Sequence, residues 1–332
     1  MEKEKVWLVT GSTGQDASCL FDLLLELGYK NIHGTIRRSS TICTGRIDHI
    51  FSKLVLHYAD LTDYASLYAI VNKVKPDYIV NTAAQSHVAV SSELENYTLQ
   101  VNTIGVLNLL QVTRELVPKA RFYQCGTSEE FGNVKEKLNE TTPKIPVSIY
   151  GVSKLAAENM CNIYRDAYGM FVVTGTLLNH EGPRRGETFV SKKITTFVSK
   201  YKKGLVSGPL ELGNLESRRD WSDARDMVRG ILLMITQDRP KNYVLGSGVS
   251  FSVRQFVEKA FGHVGVNVRW EGQGLDEVGY NTENGQPLVR VNPRYYRPIE
   301  INELVADAAL AQKELKWKPE ITLDQMILDM LN

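Results

Sequence analysis

Val6-Trp7-Leu8-Val9-Thr10-Gly11-Ser12-Thr13-Gly14-Gln15-Asp16-Ala17 decides how this chain folds. The run Val6–Thr10 is apolar and β-rich. It enters a G-x-x-G-x-x-A turn, after which Cys19–Leu27 shows helical periodicity and stops at Gly28, a C-cap position. Two glycines permit a tight turn and close backbone approach by a pyrophosphate. Ala17 is small enough to let the helix pack near the strand, and the helix N-terminus favours phosphate charge. Three small residues at this spacing are common in themselves. Their weight comes from standing at the first strand–helix junction of an alternating chain.

Outward from that junction, strand-like runs recur at Ile32–Ile36, Leu54–Tyr58, Tyr78–Thr82 and Arg121–Cys125, with helical stretches such as Ala65–Val74 and Asn102–Leu116 between them. Such alternation predicts an α/β fold, a Rossmann-like doubly wound parallel sheet with its ligand at the carboxyl ends of the strands. Beyond about residue 180 the rhythm breaks at Gly182, Pro183 and Arg184-Arg185. A helical stretch at Phe189–Tyr201, the segment Arg218-Arg219-Asp220-Trp221 and a Gly/Asn-rich passage at Gly272–Gln286 follow. We therefore expect residues 1–180 to form the dinucleotide-binding domain. Residues 181–332 are expected to form mainly a smaller C-terminal substrate-binding domain, with a return segment within 218–248 that extends the main sheet.

Composition narrows the function classes. The 332 residues are 43% hydrophobic and 23% charged, and 39 basic against 38 acidic residues leave a formal net charge of +1. That balance supplies no bulk attraction to nucleic acid or an anionic membrane, so neither is expected as a partner. The apolar run at Val6–Thr10 is too short for a signal peptide or a membrane span. Cys19, Cys43, Cys125 and Cys161 are scattered, without metal-ligand or disulfide-framework spacing. A soluble cytoplasmic protein with no metal is the expectation.

The end of the second strand selects the cofactor. A site for NAD offers a carboxylate there for the ribose 2′-hydroxyl, whereas this chain reads Thr35-Ile36-Arg37-Arg38-Ser39-Ser40, with no acid between Glu26 and Asp48. Guanidinium forks and hydroxyls suit a 2′-phosphate, so NADP is expected. With Gly11, Thr13, Gly14, Gln15 and Asp16 at the turn, the cofactor residues include Arg37, Arg38 and Ser39. Asp60 and Leu61 stand at the adenine side, and Ala83 and Gln85 near the nicotinamide.

Tyr150-Gly151-Val152-Ser153-Lys154 places a tyrosine and a lysine four apart at the start of a helical stretch, on one face. Lysine's charge is expected to lower the phenol's pKa, so that Tyr150 can take a proton near neutrality. Thr127, at the end of the fifth strand, faces the same crevice and can hold the reacting alcohol. This constellation resembles the extended short-chain dehydrogenase/reductases.

The resemblance narrows further along the chain. Gly11–Asp16, Arg37–Ser40 followed by Thr44–Ile47, and Ala83-Ala84-Gln85-Ser86-His87-Val88 resemble the GDP-mannose 4,6-dehydratases. So do Asn179-His180-Glu181 with Pro183–Gly186, Leu212–Leu215 with Arg219-Asp220-Trp221, and Tyr295-Tyr296-Arg297-Pro298 with Glu300. The matches run from residue 11 to about 319. That resemblance implies oxidation at C4 of the sugar by Tyr150, Lys154 and Thr127, removal of the C5 proton by Glu129 as water leaves C6, and return of hydride to C6. It also assigns His180 and Arg185 to the cofactor, and Ser86, Glu129, Asn179, Lys193, Leu212, Gly213, Arg219, Arg297 and Glu300 to the GDP-sugar. The resemblance also implies that the polar segment Arg38–Ile50 reaches toward a neighbouring subunit, so a homo-oligomer, dimer or tetramer, is expected.

Departures cluster around the reacting groups. Ala17 stands for the third glycine, Gly126 for a serine, and Asn102 for an aspartate. Glu130-Phe131 stand for Leu-Tyr, and Ile149–Lys154 for Pro-Tyr-Gly-Ala-Ala-Lys. Ser128-Glu129-Glu130 and Gly151-Val152-Ser153-Lys154 look more like the GDP-4-keto-6-deoxymannose reductases. A dehydratase on GDP-mannose or a related GDP-sugar such as a heptose leads; a 4-keto reductase, a 4-epimerase and a non-enzymatic NADP-binding regulator remain alternatives. Should Glu129 not be the base, Glu130 is the next acid in line.

Overall fold

Alternation along each strand builds the centre of the molecule. In β1 (Trp7–Thr10), Trp7 and Val9 pack into one core and Leu8 into another. The same split separates Tyr78 and Val80 from Ile79 in β4 (Tyr78–Asn81), and Tyr123 from Phe122 in β5 (Arg121–Cys125). A sheet buried on both faces follows from that pattern. In the computed structural model, which describes residues 2–295 and 301–332, it has seven parallel strands. With β2 (Ile32–Ile36), β3 (Val55–Tyr58), β6 (Val172–Leu177) and β7 (Tyr243–Leu245), the order is β7-β6-β5-β4-β1-β2-β3. The expected α/β doubly wound parallel architecture is present.

Helices α1 (Gln15–Glu26), α2 (Tyr64–Val74), α3 (Gly105–Leu116), α4 (Ile149–Tyr168) and α5 (Ala224–Thr236) cover the two faces. α1 and α5 meet on one side, where Leu20, Phe21 and Leu24 lie buried with Met227, Ile231 and Met234. Each such apolar side chain contributes roughly 1.5–3 kcal/mol by leaving water. Trp7 and Trp317 belong to this same core, and the Trp317 indole donates to the Asp226 carbonyl at 2.8 Å. α2, α3 and α4 line the opposite face around Leu67, Leu109, Leu110, Ala157 and Cys161.

Helix starts follow local capping. Asp63 caps α2 by accepting from the Ala65 and Ser66 amides, and Ser148 caps α4 by accepting from the Gly151 amide. The helix expected from Asn102 begins earlier. It starts at Glu95–Leu99 and passes through a π-helical turn, Gln100–Ile104, into α3. Within that turn Asn102 spends its amide on other segments, accepting from the Gln85 amide and donating to the Gln85 carbonyl and Ser153 hydroxyl. A single widened turn at such a contact is how π-helical geometry enters α-helices.

The remaining layer is built on a four-stranded sheet ordered Val268–Glu271, Val278–Asn281, Pro287–Val291, Leu210–Leu212. Helices Val190–Lys202, Val253–Gly262 and Leu323–Leu331 share its core with Trp221, which meets the Phe256 ring edge-on at 4.9 Å. No helix among the described residues is long and apolar enough to cross a membrane. Arg297 and Glu300 lie outside the described residues.

Candidate active site

Strand order reverses between β1 and β4, and the loops leaving these two strands touch. Gly11 adopts φ +70°, and a Cβ there would sit 2.8 Å from the Ala83 backbone nitrogen. Conformation and close approach thus both demand glycine. Gly14 is the N-cap of α1 and provides no side-chain acceptor, so the helix opens without a side chain across its N-terminus. Beside it the Gln15 amide donates to the His180 carbonyl at 3.1 Å, while its Oε1 is buried without a partner. The Thr13 carbonyl accepts from Arg46, whose Nε reaches the Arg184 carbonyl at 2.6 Å. An uncapped helix start and a cradle with no room for a side chain fit an anionic dinucleotide.

Asp16 and His180 form a part-buried pair at 3.1 Å. Burial opposes the Asp16 charge, yet His180 outweighs it and holds the carboxyl at about 2. Burial likewise disfavours the charged imidazole, but Asp16 raises the His180 pKa above its ordinary value. Next to them Arg185 pairs with Glu181 at 2.8 Å and lies over the Phe189 ring.

Arg37, Arg38 and Ser39 are exposed on the loop after β2, where Arg37 donates to the Tyr97 hydroxyl and Arg38 to the Ser39 carbonyl. After β3, Asp60 accepts from the Thr62 amide and hydroxyl, and Leu61 is buried against Gly105. Gln85 commits its amide to its own loop, accepting from the His87 amide and donating to Thr98, while Ser86 is exposed.

The groups expected to react, Thr127, Glu129, Tyr150 and Lys154, converge where β5 ends and α4 begins. Ser148 fixes the start of α4, so Tyr150 stands in its first turn and Lys154 one turn on, both almost fully buried. The Thr127 hydroxyl bonds to Tyr150 and accepts from the Glu129 amide at 3.3 Å. A Cβ on Gly151 would fall 2.5 Å from the Glu129 carbonyl oxygen, so glycine is what lets turn and helix close on each other. Glu129 is 8% exposed, which removes it from the surface acids.

One electrostatic expectation is overturned. The Tyr150 pKa is raised, chiefly by burial of the phenol, although Lys154 and the Thr127 hydroxyl both pull it down. Phenolate desolvation outweighs the ammonium here, and Lys154 spends a hydrogen bond on the Cys125 carbonyl. Glu130 is a second correction. It is fully buried, with one carboxylate oxygen accepting from the Thr127 amide at 3.0 Å and the other held by Lys144 at 2.7 Å. An acid enclosed in that way is not a base for substrate.

Asn179 opens the short strand Asn179–Glu181 just past β6, parallel to Trp221–Asp223. Lys193 lies 3.7 Å from the Tyr295 ring centroid and donates to the Glu211 carbonyl. Leu212 is buried, and Gly213 leaves room for the Tyr295 carbonyl, which a Cβ would approach to 2.5 Å. Arg219 is buried and donates to the Arg218 and Ile301 carbonyls. Lys193, Gly213 and Arg219 thereby flank both described ends of the segment that carries Arg297 and Glu300. Sequence reading missed Lys144, which has no local signal, and Glu158, whose spacing of four from Lys154 was one.

The GDP-mannose 4,6-dehydratase family model matches residues 8–330. GDP-mannose 4,6-dehydratases of Drosophila melanogaster and Homo sapiens are each 44% identical, over 99% and 98% of this chain and 86% and 90% of theirs. That of Vibrio cholerae is 43% identical over 99% of this chain and 93% of its own. Among solved structures, UDP-glucose 4-epimerase of Thermotoga maritima superposes with TM-score 0.81 at 23% identity, covering 98% of this chain and 96% of that one. RMD of Pseudomonas aeruginosa, solved with NADPH, gives 0.77 at 23% identity over 98% and 97%. These two share the fold. With relatives this similar over nearly its whole length, and with the serine-capped Tyr150 helix closed on the Thr127–Glu129 turn, the chain belongs to the GDP-mannose 4,6-dehydratase family.

Proposed function

We propose that this protein is an NADP-dependent hydro-lyase that converts GDP-mannose, or a closely related GDP-sugar, to the GDP-4-keto-6-deoxy sugar. The observation that supports it most is the juxtaposition of Glu129 with Thr127 and Tyr150, which joins a base to an alcohol-oxidising pair. Tyr150 takes the C4 hydroxyl proton, with Thr127 orienting the hydroxyl and Lys154 and the α4 N-terminus favouring the phenolate. Glu129 removes the C5 proton, made acidic by the neighbouring ketone, and passes it to the C6 hydroxyl, which leaves as water; the proton held by Tyr150 is then returned to C5. NADP, held at the Gly11–Asp16 turn, would supply the hydride acceptor for oxidation at C4 and the hydride donor for C6.

Gly11, Thr13, Gly14, Gln15 and Asp16 cradle the pyrophosphate side in this reading, with His180 and Arg185 behind them. Asp60 and Leu61 border the adenine, and Ala83 and Gln85 shape the nicotinamide end. The division of labour puts the cofactor on residues 1–180 with the return segment in 218–248. The GDP-sugar falls mainly to 181–332, joined by Ser86 and Asn179, with Asn179, Lys193, Arg219, Arg297 and Glu300 at the nucleotide end and Leu212 and Gly213 beside them. Arginine forks suit diphosphate oxygens. The test is incubation of the purified protein with GDP-mannose, with and without added NADPH, and identification of the product by mass. Loss of one water without net cofactor consumption supports the dehydratase. Turnover of a 4-keto sugar only with added NADPH supports the reductase, the alternative that Ser128-Glu129-Glu130 favours.

Arg37 and Arg38 support NADP over NAD. Replacing both by neutral residues weakens NADP binding by about tenfold or more while leaving NAD nearly unchanged, since exposed guanidinium–phosphate bonds are each worth roughly 1.5–3 kcal/mol before solvent screening. Isothermal titration with each cofactor reads this, and equal affinities in the unaltered protein refute it. We also propose a cytoplasmic homodimer or homotetramer. Within the segment Arg38–Ile50, Ile42 is 92% exposed, a large apolar side chain that a neighbouring subunit would cover. Light scattering is expected to give a multiple of 37.3 kDa, and a monomer at micromolar concentration counts against it.

A further inference from the structure

Behind the reacting groups lies a charged cluster that the dehydration chemistry does not use. Lys144 sits between two carboxylates, 2.7 Å from Glu130 Oε2 and 2.5 Å from Glu158 Oε2, and reaches the Thr176 hydroxyl at 3.3 Å. The Glu130, Lys144 and Glu158 side chains are 0%, 16% and 11% exposed. Each comes from a different part of the fold. Glu130 belongs to the turn after β5, Lys144 to the loop before α4, Glu158 to α4 and Thr176 to β6. Glu158 continues the α4 face that carries Tyr150 and Lys154, at successive spacings of four.

We infer that Glu130, Lys144 and Glu158 form a positioning clamp that holds the Thr127–Glu129 turn in register with Tyr150. The inference rests on the dehydratase reading for its kinetic arm alone. Glu130 Oε1 accepts the Thr127 amide, so it sets the backbone whose hydroxyl meets Tyr150. Glu130 Oε2 hands that constraint to Lys144, and Lys144 hands it to α4 through Glu158. The turn is thereby gripped at two heights of one helix, at Gly151 by close contact and at Glu158 by charge. A buried ion cluster is a costly way to fill space, and removing one member strands the others without their partner. Its return is geometric, since a displacement near 1 Å at a reacting group costs about 10²-fold in rate.

Two carboxylates around one ammonium also leave the cluster one negative charge in excess. Burial raises the Glu130 carboxyl, Lys144 opposes that, and Glu158 adds to it, leaving it at about 7. The groups that face it are Lys144 from the loop, Glu158 and Lys154 from α4, Cys125 from β5 and Thr176 from β6. Because the folded value lies above the ordinary carboxyl range, the stability it contributes is complete below that range. It is lost as pH rises toward 7.

Glu130→Leu, Glu130→Gln and Lys144→Met test the clamp. Leu removes the acceptor for the Thr127 amide, and kcat on GDP-mannose is expected to fall about 10²-fold with KM moving only slightly. Gln keeps an acceptor oxygen for the Thr127 amide but turns an NH2 donor toward Lys144, so it is expected to recover part of the kcat that Leu loses, while abolishing the loss of melting temperature that the unaltered protein shows as pH rises toward neutrality. Lys144→Met, which strands both carboxylates, lowers kcat as Leu does and decides the matter if the Leu variant does not fold. A folded Leu or Met variant with normal kcat overturns the inference, as does a Gln variant no better than Leu. If the unaltered protein does not act on GDP-mannose, the functional reading fails and the clamp is judged from crystal structures alone. Thr127 and Glu129 unmoved in Glu130→Leu then overturn it.

Discussion

Glu129→Gln is expected to separate the two halves of the reaction. The amide keeps the size and most hydrogen bonds of the carboxylate but cannot accept the C5 proton. Thr127, Tyr150 and Lys154 are untouched, so removal of the C4 hydroxyl proton and the accompanying oxidation proceed. Reduced cofactor then accumulates by absorbance, with a 4-keto sugar still carrying its C6 oxygen, while dehydrated product falls by about 10²–10⁴-fold, the usual contribution of a general base. The environment of Glu129 supports this expectation. It is almost fully buried, beside Tyr150, and its backbone is pressed against Gly151. Near-normal dehydration by this variant removes Glu129 from the role, and the enclosed position of Glu130 means that no acid adjacent in sequence replaces it.

Tyr150→Phe is expected to stop the sequence one step sooner. Phenylalanine fills the same space but leaves the C4 hydroxyl without a proton acceptor, and the Thr127 hydroxyl keeps only the Glu129 amide as a partner. No reduced cofactor forms, and turnover drops by about 10²–10⁴-fold. Lys154 then remains buried, with the Cys125 carbonyl as its hydrogen-bond acceptor. Because burial raises the Tyr150 pKa in the protein alone, kcat/KM is expected to climb on the alkaline side of neutrality as the phenolate becomes populated. A flat profile there, or retained oxidation by the Phe variant, would show that another group takes the proton.

Much of the site was legible in sequence because its geometry is local. Gly11, Gly14 and Ala17 report a strand–turn–helix junction whatever surrounds them, and the positive φ at Gly11 is what that spacing anticipates. Tyr150 and Lys154 share a face through helix periodicity alone. The strands were legible for the same reason, since short unbroken apolar runs such as Val6–Thr10 describe strands of a sheet covered on both faces. Helix ends were less so: the π-helical turn at Gln100–Ile104 depends on Asn102 reaching Gln85 and Ser153, contacts no window of sequence contains.

What the sequence determined by itself is therefore the chemistry on offer: a cradle for a dinucleotide, a basic strand end, and a tyrosine, lysine, threonine and glutamate in the expected order. Tertiary structure alone decided which of two adjacent glutamates faces the phenol and which is turned inward to Lys144 and Glu158. It also decided the sign of the Tyr150 shift, because desolvation sums over everything packed around the ring, whereas the Lys154 charge is one neighbour. Local spacing carries short-range geometry. Burial and charge compensation are properties of the assembled interior, where Glu130, Lys144 and Glu158, distant along the chain, share one pocket.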